Sequence, residues 1–138
     1  MFPKDITAEQ INLFSPNTLV SLLGINITEI GDNFIKATMP INEKTHQYMG
    51  ILHGGASVVL AETIGSIGSY LLIDRETQYT VGLEVNANHV GSAREGVATA
   101  KARIIHKGKK THVWSIEISD DDNKLLSICR LTTMIITK

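Results

Sequence analysis

The chain has 138 residues, 43% of them hydrophobic and 20% charged, with a formal net charge of −1. That length fits one domain, 1–138, with room for an ordinary core, and the near-neutral charge gives no electrostatic case for nucleic acid or an anionic membrane surface. Cys129 is the single cysteine, which rules out an intrachain disulfide, suits a reducing cytosol and predicts a small hydrophobe on an inward strand face.

The start, MFPKDITAEQINLF, lacks the basic residues and apolar block of a signal peptide, so a cytoplasmic location is expected. Thr7 with Gln10 resembles a capping box opening a short helix to about Phe14. Ser15-Pro16 reads as an N-cap with proline at the first helical position, Leu19, Leu22 and Leu23 as an apolar stripe, and Gly24 as the stop. Residues 1–23 are thus a helical lead-in. From Ile25 to Met39 two short strands are expected around a Gly31-Asp32-Asn33 turn.

After Pro40 a polar connection, NEKTHQYMG, leads to a long helix beginning near His53-Gly54 and running to about Ile73. Its length approaches that of a membrane span. Glu62, four glycines and three serines within it, with no basic cluster following, predict a buried helix in a soluble protein instead. Period two then takes over: Tyr79, Val81, Leu83, Val85 and Ala87 alternate with Thr80, Gly82, Glu84 and Asn86. Three more strands are expected at about 96–106, 111–119 and 124–136, separated by the turns KGKK and DDNK. The order predicts an α+β fold, an antiparallel sheet of about six strands wrapped around one long apolar helix.

One carboxylate on such a helix costs several kcal/mol to desolvate without a partner, which singles out Glu62 for chemistry. The helix start at Gly54 offers unpaired N–H groups and partial positive charge to a developing oxyanion. Glu62 offers a nucleophile or a general base. Eight residues separate them, roughly 12 Å along the axis at about 1.5 Å per residue, so one chain cannot bring both to one carbonyl. Two antiparallel helices across a two-fold axis can, with Gly54 from one chain and Glu62 from its mate. Ala56, Ser57, Ala61, Gly65, Ser66 and Gly68 would let a helix or ligand approach closely.

These residues also carry a family resemblance. THQYMG followed by LHGGASVVLAETIGSIGS, together with PNTLVSLLGI, the VGLEVNANH strand and the His106, Gly108, Lys109, Trp114 pattern, resembles the hotdog-fold acyl-CoA thioesterases of the phenylacetate-degradation type, related to 4-hydroxybenzoyl-CoA thioesterases. Within them the chain looks nearest to the subgroup acting on 1,4-dihydroxy-2-naphthoyl-CoA and on aryl groups misloaded onto a carrier protein. The resemblance implies that Glu62 is the catalytic carboxylate and Gly54 the backbone donor to the thioester carbonyl. It implies that Gln47 orients the thioester or its attacking water, that His53 is a neighbouring active-site histidine, and that Ser66 lies one helical turn past the glutamate. It implies homodimers that pair into tetramers and no cofactor, coenzyme A being part of the substrate.

The chain departs from the family after the Asn-x-x-His strand end, where close members carry Arg-Pro and Val90-Gly91-Ser92 stands here. Arg94, or Lys107, Lys109 and Lys110, would then meet the coenzyme A phosphates, beside His89, His106 and Gly108. His46, His89, His106 and His112 show no metal-ligand spacing, and neither a GxSxG elbow nor a GK[ST] loop is present. Trp114 and Tyr79 are expected to pack on a sheet face, and Tyr48 and Met49 lie near enough to Gln47 to line an acyl pocket. The expected function is thioester hydrolysis on coenzyme A or an acyl carrier protein, without nucleic-acid or membrane partners. A non-catalytic acyl-CoA sensor and a hotdog dehydratase or hydratase are the alternatives, although the His-x-x-x-Pro-Gly pattern of the latter is missing.

Overall fold

The computed structural model describes residues 2–138. Its elements are α1 (Ala8–Asn12), α2 (Leu19–Leu22), β1 (Asn26–Ile30), β2 (Phe34–Pro40), α3 (Gly54–Leu71), β3 (Gln78–His89), β4 (Val97–Lys107), β5 (Thr111–Ser119) and β6 (Leu125–Thr137). The six strands form one antiparallel sheet in the order β1-β2-β4-β5-β6-β3. After β2 the chain crosses the sheet as α3 and lays β3 on the far edge, and β4 returns to pair with β2. Among the described residues no helix is long and apolar enough to cross a membrane.

The core lies between α3 and the sheet face that it covers. Ile35, Ala37 and Met39 of β2, Ala98, Ala100 and Ala102 of β4, and Trp114, Ile116 and Ile118 of β5 meet Leu60, Ala61 and Ile64 of the helix. Gly65 and Gly68 are points of close approach between the helix and the sheet. A Cβ at Gly65 would stand 2.5 Å from Leu131 Cδ2, and one at Gly68 2.5 Å from Trp114 Cη2. The expectation that the small helix residues serve a second helix or a ligand is therefore corrected: Ala56, Ser57, Ala61, Gly65 and Gly68 are buried in their own chain, and Ser66 alone of the six is not. Wide side chains on the sheet, chiefly the indole, require narrow ones above them.

The lead-in helices cap differently than expected at one point. Thr7 and Gln10 form the capping box of α1. The N-cap of α2 is Thr18, paired with Ser21, and not Ser15. Asn17 adopts a left-handed φ of 62°, which keeps Ser15-Pro16 outside the helix, where the Ser15 carbonyl accepts from the Thr18 hydroxyl. Gly24, at φ 71°, ends the helix as expected.

The two sheet edges are unlike. Along β1, Asn12 takes both backbone groups of Ile27, donating to its carbonyl and accepting from its N–H at 2.9 Å each, so α1 occupies that edge. The outer edge of β3, twelve residues long, faces no other strand of the sheet.

The strict alternation expected along β3 does not hold. Gly82 pairs with Thr133 and Glu84 with Thr132, leaving Leu83 as an inserted residue. This bulge exchanges the faces. Val85 and Ala87 pack on the core, whereas Tyr79, Val81 and Leu83 are 42%, 40% and 55% exposed. Trp114 is a packing residue as expected, fully buried under the helix.

Candidate active site

Helix α3 begins where His53, in extended backbone, turns its ring onto the first helical turn: His53 Nδ1 accepts from Gly55 N–H at 2.7 Å. The Gly54 N–H has no acceptor among the described residues. It is an orphan donor at the positive end of an 18-residue helix. A histidine acceptor on Nδ1 keeps its proton on Nε2.

Further along, Val58, Glu62, Ser66 and Tyr70 recur every fourth residue and stay partly or wholly exposed while the opposite helix face is buried. Glu62 is half-buried on this stripe. Its Oε1 rests against β3 at Gly82, where an added Cβ would stand 2.5 Å away. The one ion pair among the described residues, Lys36–Glu29, lies elsewhere, so no cation of its own chain neutralises Glu62.

Gln47 sits in the loop before the helix. The loop is closed by an isolated bridge between His46 and Leu52 and by Gly50 at φ 73°, a conformation that favours glycine. The Met49 N–H donates to Gln47 Oε1, which leaves the amide NH2 of Gln47 as the group to present to a ligand. The Arg94 guanidinium donates to the Met49 carbonyl at 3.3 Å, and the Arg94 carbonyl meets His46 Nε2 at 2.7 Å.

His89, expected near a nucleotide, stands directly at the helix start. A Cβ on Gly54 would lie 2.5 Å from His89 Nε2, and His89 Nδ1 is 2.7 Å from Ser127 Oγ. His53, Gly54, Gln47, His89 and Arg94 therefore gather at one end of α3. His106, Gly108, Lys109 and Lys110 lie at the other end. Their hairpin continues past Trp114, which sits under Gly68, and the Lys110 carbonyl accepts from the Ile135 N–H near the end of β6. Glu62 and Ser66 fall between the two groups. Two residues at the site escaped the sequence reading: Gly82, visible only as one glycine in a strand pattern, and Ser127, for which no sequence signal exists.

A six-stranded antiparallel sheet packed on one long helix is the hotdog fold found in the thioesterase superfamily. The family model of the thioesterase superfamily matches residues 49–127. The 1,4-dihydroxy-2-naphthoyl-CoA hydrolase of Escherichia coli is 46% identical over 136 residues, covering 99% of each chain. The crystal structure of a mutant thioesterase from Pseudomonas aeruginosa matches with a TM-score of 0.97 at 47% identity, covering 99% of both chains. A thioesterase from Haemophilus influenzae matches at 0.94 and 44% identity, covering 99% of this chain and 94% of the other. The chain belongs to the thioesterase superfamily and is an enzyme of that class.

Proposed function

We propose that the chain is an acyl-CoA thioesterase for aryl or acyl thioesters, working as a homodimer with its site shared between chains. The observation that carries this is the pairing of an unengaged Gly54 N–H with a Glu62 carboxylate eight residues later on the same helix. The open edge of β3 and its exposed Tyr79, Val81 and Leu83 support a second copy there. With two α3 helices antiparallel, Gly54 of one copy comes level with Glu62 of the other. The His89 and Arg94 group of that copy then reaches the same end as His106, Gly108, Lys109 and Lys110 of this one. That convergence would supply cations to coenzyme A phosphates from both chains.

In this reading the thioester carbonyl accepts from Gly54 N–H, and Gln47 and His53 present donors beside it. Glu62 either attacks the carbonyl carbon, forming a mixed anhydride that water then cleaves to free the acid and restore the carboxylate, or takes a proton from the water that attacks. In both cases the C–S bond breaks and the thiolate leaves with the electron pair. Ser66, one turn past Glu62, completes the polar face of the stripe. The E. coli relative acts on an aryl-CoA by its name, which supports an aryl acyl group here. An acyl carrier protein is the second donor to consider, and a dimer of dimers the further assembly.

Free-thiol release from a panel of aryl-, short- and long-chain acyl-CoAs, with Glu62→Gln in parallel, tests the reading. Hydrolysis by the parent that is lost in Glu62→Gln is the expected result. Binding of acyl-CoA without turnover of any member would favour the sensor alternative instead.

A further inference from the structure

We propose that Gly82 is a positioning residue for the Glu62 carboxylate, an inference that rests on Glu62 being the catalytic group. Glycine weakens a strand interior, so its presence there calls for a cause. Left-handed backbone is not the cause: the positive-φ glycines are Gly24, Gly50 and Gly96, and Gly82 is not among them. The cause is the close approach of a side chain. A Cβ at Gly82 would stand 2.5 Å from Glu62 Oε1 and 3.6 Å from its Cδ, with no atom of any other residue beyond its two chain neighbours within 4 Å. Gly82 is thus a notch in the sheet wall that fits one carboxylate oxygen and nothing else of its surroundings.

The strand geometry maintains the notch. Gly82 pairs with the fully buried Thr133, which fixes it on the helix side of β3. The inserted Leu83 follows at once, so the next side chain to turn toward the helix is Val85. Without the bulge, Glu84 would follow Gly82 on the helix side and bring a second carboxylate toward Glu62. Bulge and glycine together leave Glu62 a bare stretch of backbone to lie on, with its other oxygen free to meet a substrate.

An alanine at position 82 is compatible with the strand backbone, but its methyl would push the carboxylate aside. Displacement of a reacting group by about 1 Å costs on the order of 10²-fold in rate. The expected result for Gly82→Ala is therefore a fall in kcat of about 10- to 100-fold, with KM changed far less because the thioester contacts are elsewhere.

The test is a four-way comparison of kcat and KM on benzoyl-CoA for the parent, Gly82→Ala, Glu62→Asp and Gly82→Ala/Glu62→Asp, with Glu62→Gln as control. Aspartate is one methylene shorter and does not reach the new methyl, so the alanine penalty should shrink several-fold in the aspartate background. Equal penalties in both backgrounds, or parental kcat in Gly82→Ala, would overturn the proposal while an inactive Glu62→Gln left the catalytic reading standing. An active Glu62→Gln would overturn both. If Gly82→Ala fails to fold, the Gly82→Ala/Glu62→Ala chain decides. Recovery of a cooperative melt once the carboxylate is gone supports the contact, and continued failure to fold refutes it.

Discussion

The indole N–H of Trp114 donates to Ser69 Oγ at 2.8 Å, and Ser69 Oγ lies 2.7 Å from Thr133 Oγ1, so one helix hydroxyl links two sheet strands inside the core. All three residues are fully buried. Ser69→Ala should leave the indole N–H without its partner and cost about 1–3 kcal/mol, the desolvation penalty of an orphaned buried donor. Urea denaturation with an unchanged slope and a lowered midpoint would verify it, and a midpoint within error of the parent would refute it.

His112 lies beside this network, paired across the ladder with Thr133, and its Nδ1 is buried without a partner among the described residues. Burial first, then the charges of Lys107 and His106, hold its pKa below the ordinary 6.5. The folded state therefore favours the neutral ring, and the unfolded chain binds the proton more readily. Its contribution to stability is complete above about pH 6.5 and is lost as pH falls below that value toward the depressed folded pKa. Melting temperature should drop across this window, and His112→Leu should flatten that part of the profile.

The His53 ring is the N-cap of α3, and the proposed function also sets it beside the substrate carbonyl. His53→Asn retains a side-chain acceptor for Gly55 N–H, whereas His53→Ala removes it. Alanine should cost about 1 kcal/mol in stability and asparagine much less. If both variants lose activity equally while differing in stability, His53 also acts on the substrate. Parallel denaturation and thiol-release assays separate the two roles.

The Cys129 thiol is buried on the inward face of β6, and burial pushes its pKa up to about 11. Almost no thiolate is present at neutral pH. Iodoacetamide should leave the folded protein unlabelled and modify it fully in denaturant, as intact-mass spectrometry would report. Rapid labelling of the native protein would show that the strand opens locally.

Much of the fold was legible in the residues because local chemistry and period dictated it. The Thr7 capping box, the stop at Gly24, the long helix after His53 with its single charge and the turns at KGKK and DDNK each follow from short-range rules. Glu62 and Gly54 stood out for a similar reason: a lone carboxylate and a glycine-opened helix start are chemical statements in themselves. The departure along β3 has a physical origin of its own. The alternation along β3 breaks at Leu83 because an inserted residue exchanges the faces, and a run of apolar residues with period two carries no mark of where the insertion falls.

The sequence by itself determined the elements, their order, and the spacing that places an N–H donor and a carboxylate too far apart for one chain. Tertiary structure alone decided what surrounds them. The ring of His89 over Gly54, Ser127 behind it, Gly82 beneath Glu62, and the indole beneath Gly65 and Gly68 all join residues distant in the chain. Such contacts are set by strand register and helix height, which depend on how every side chain in the core packs at once.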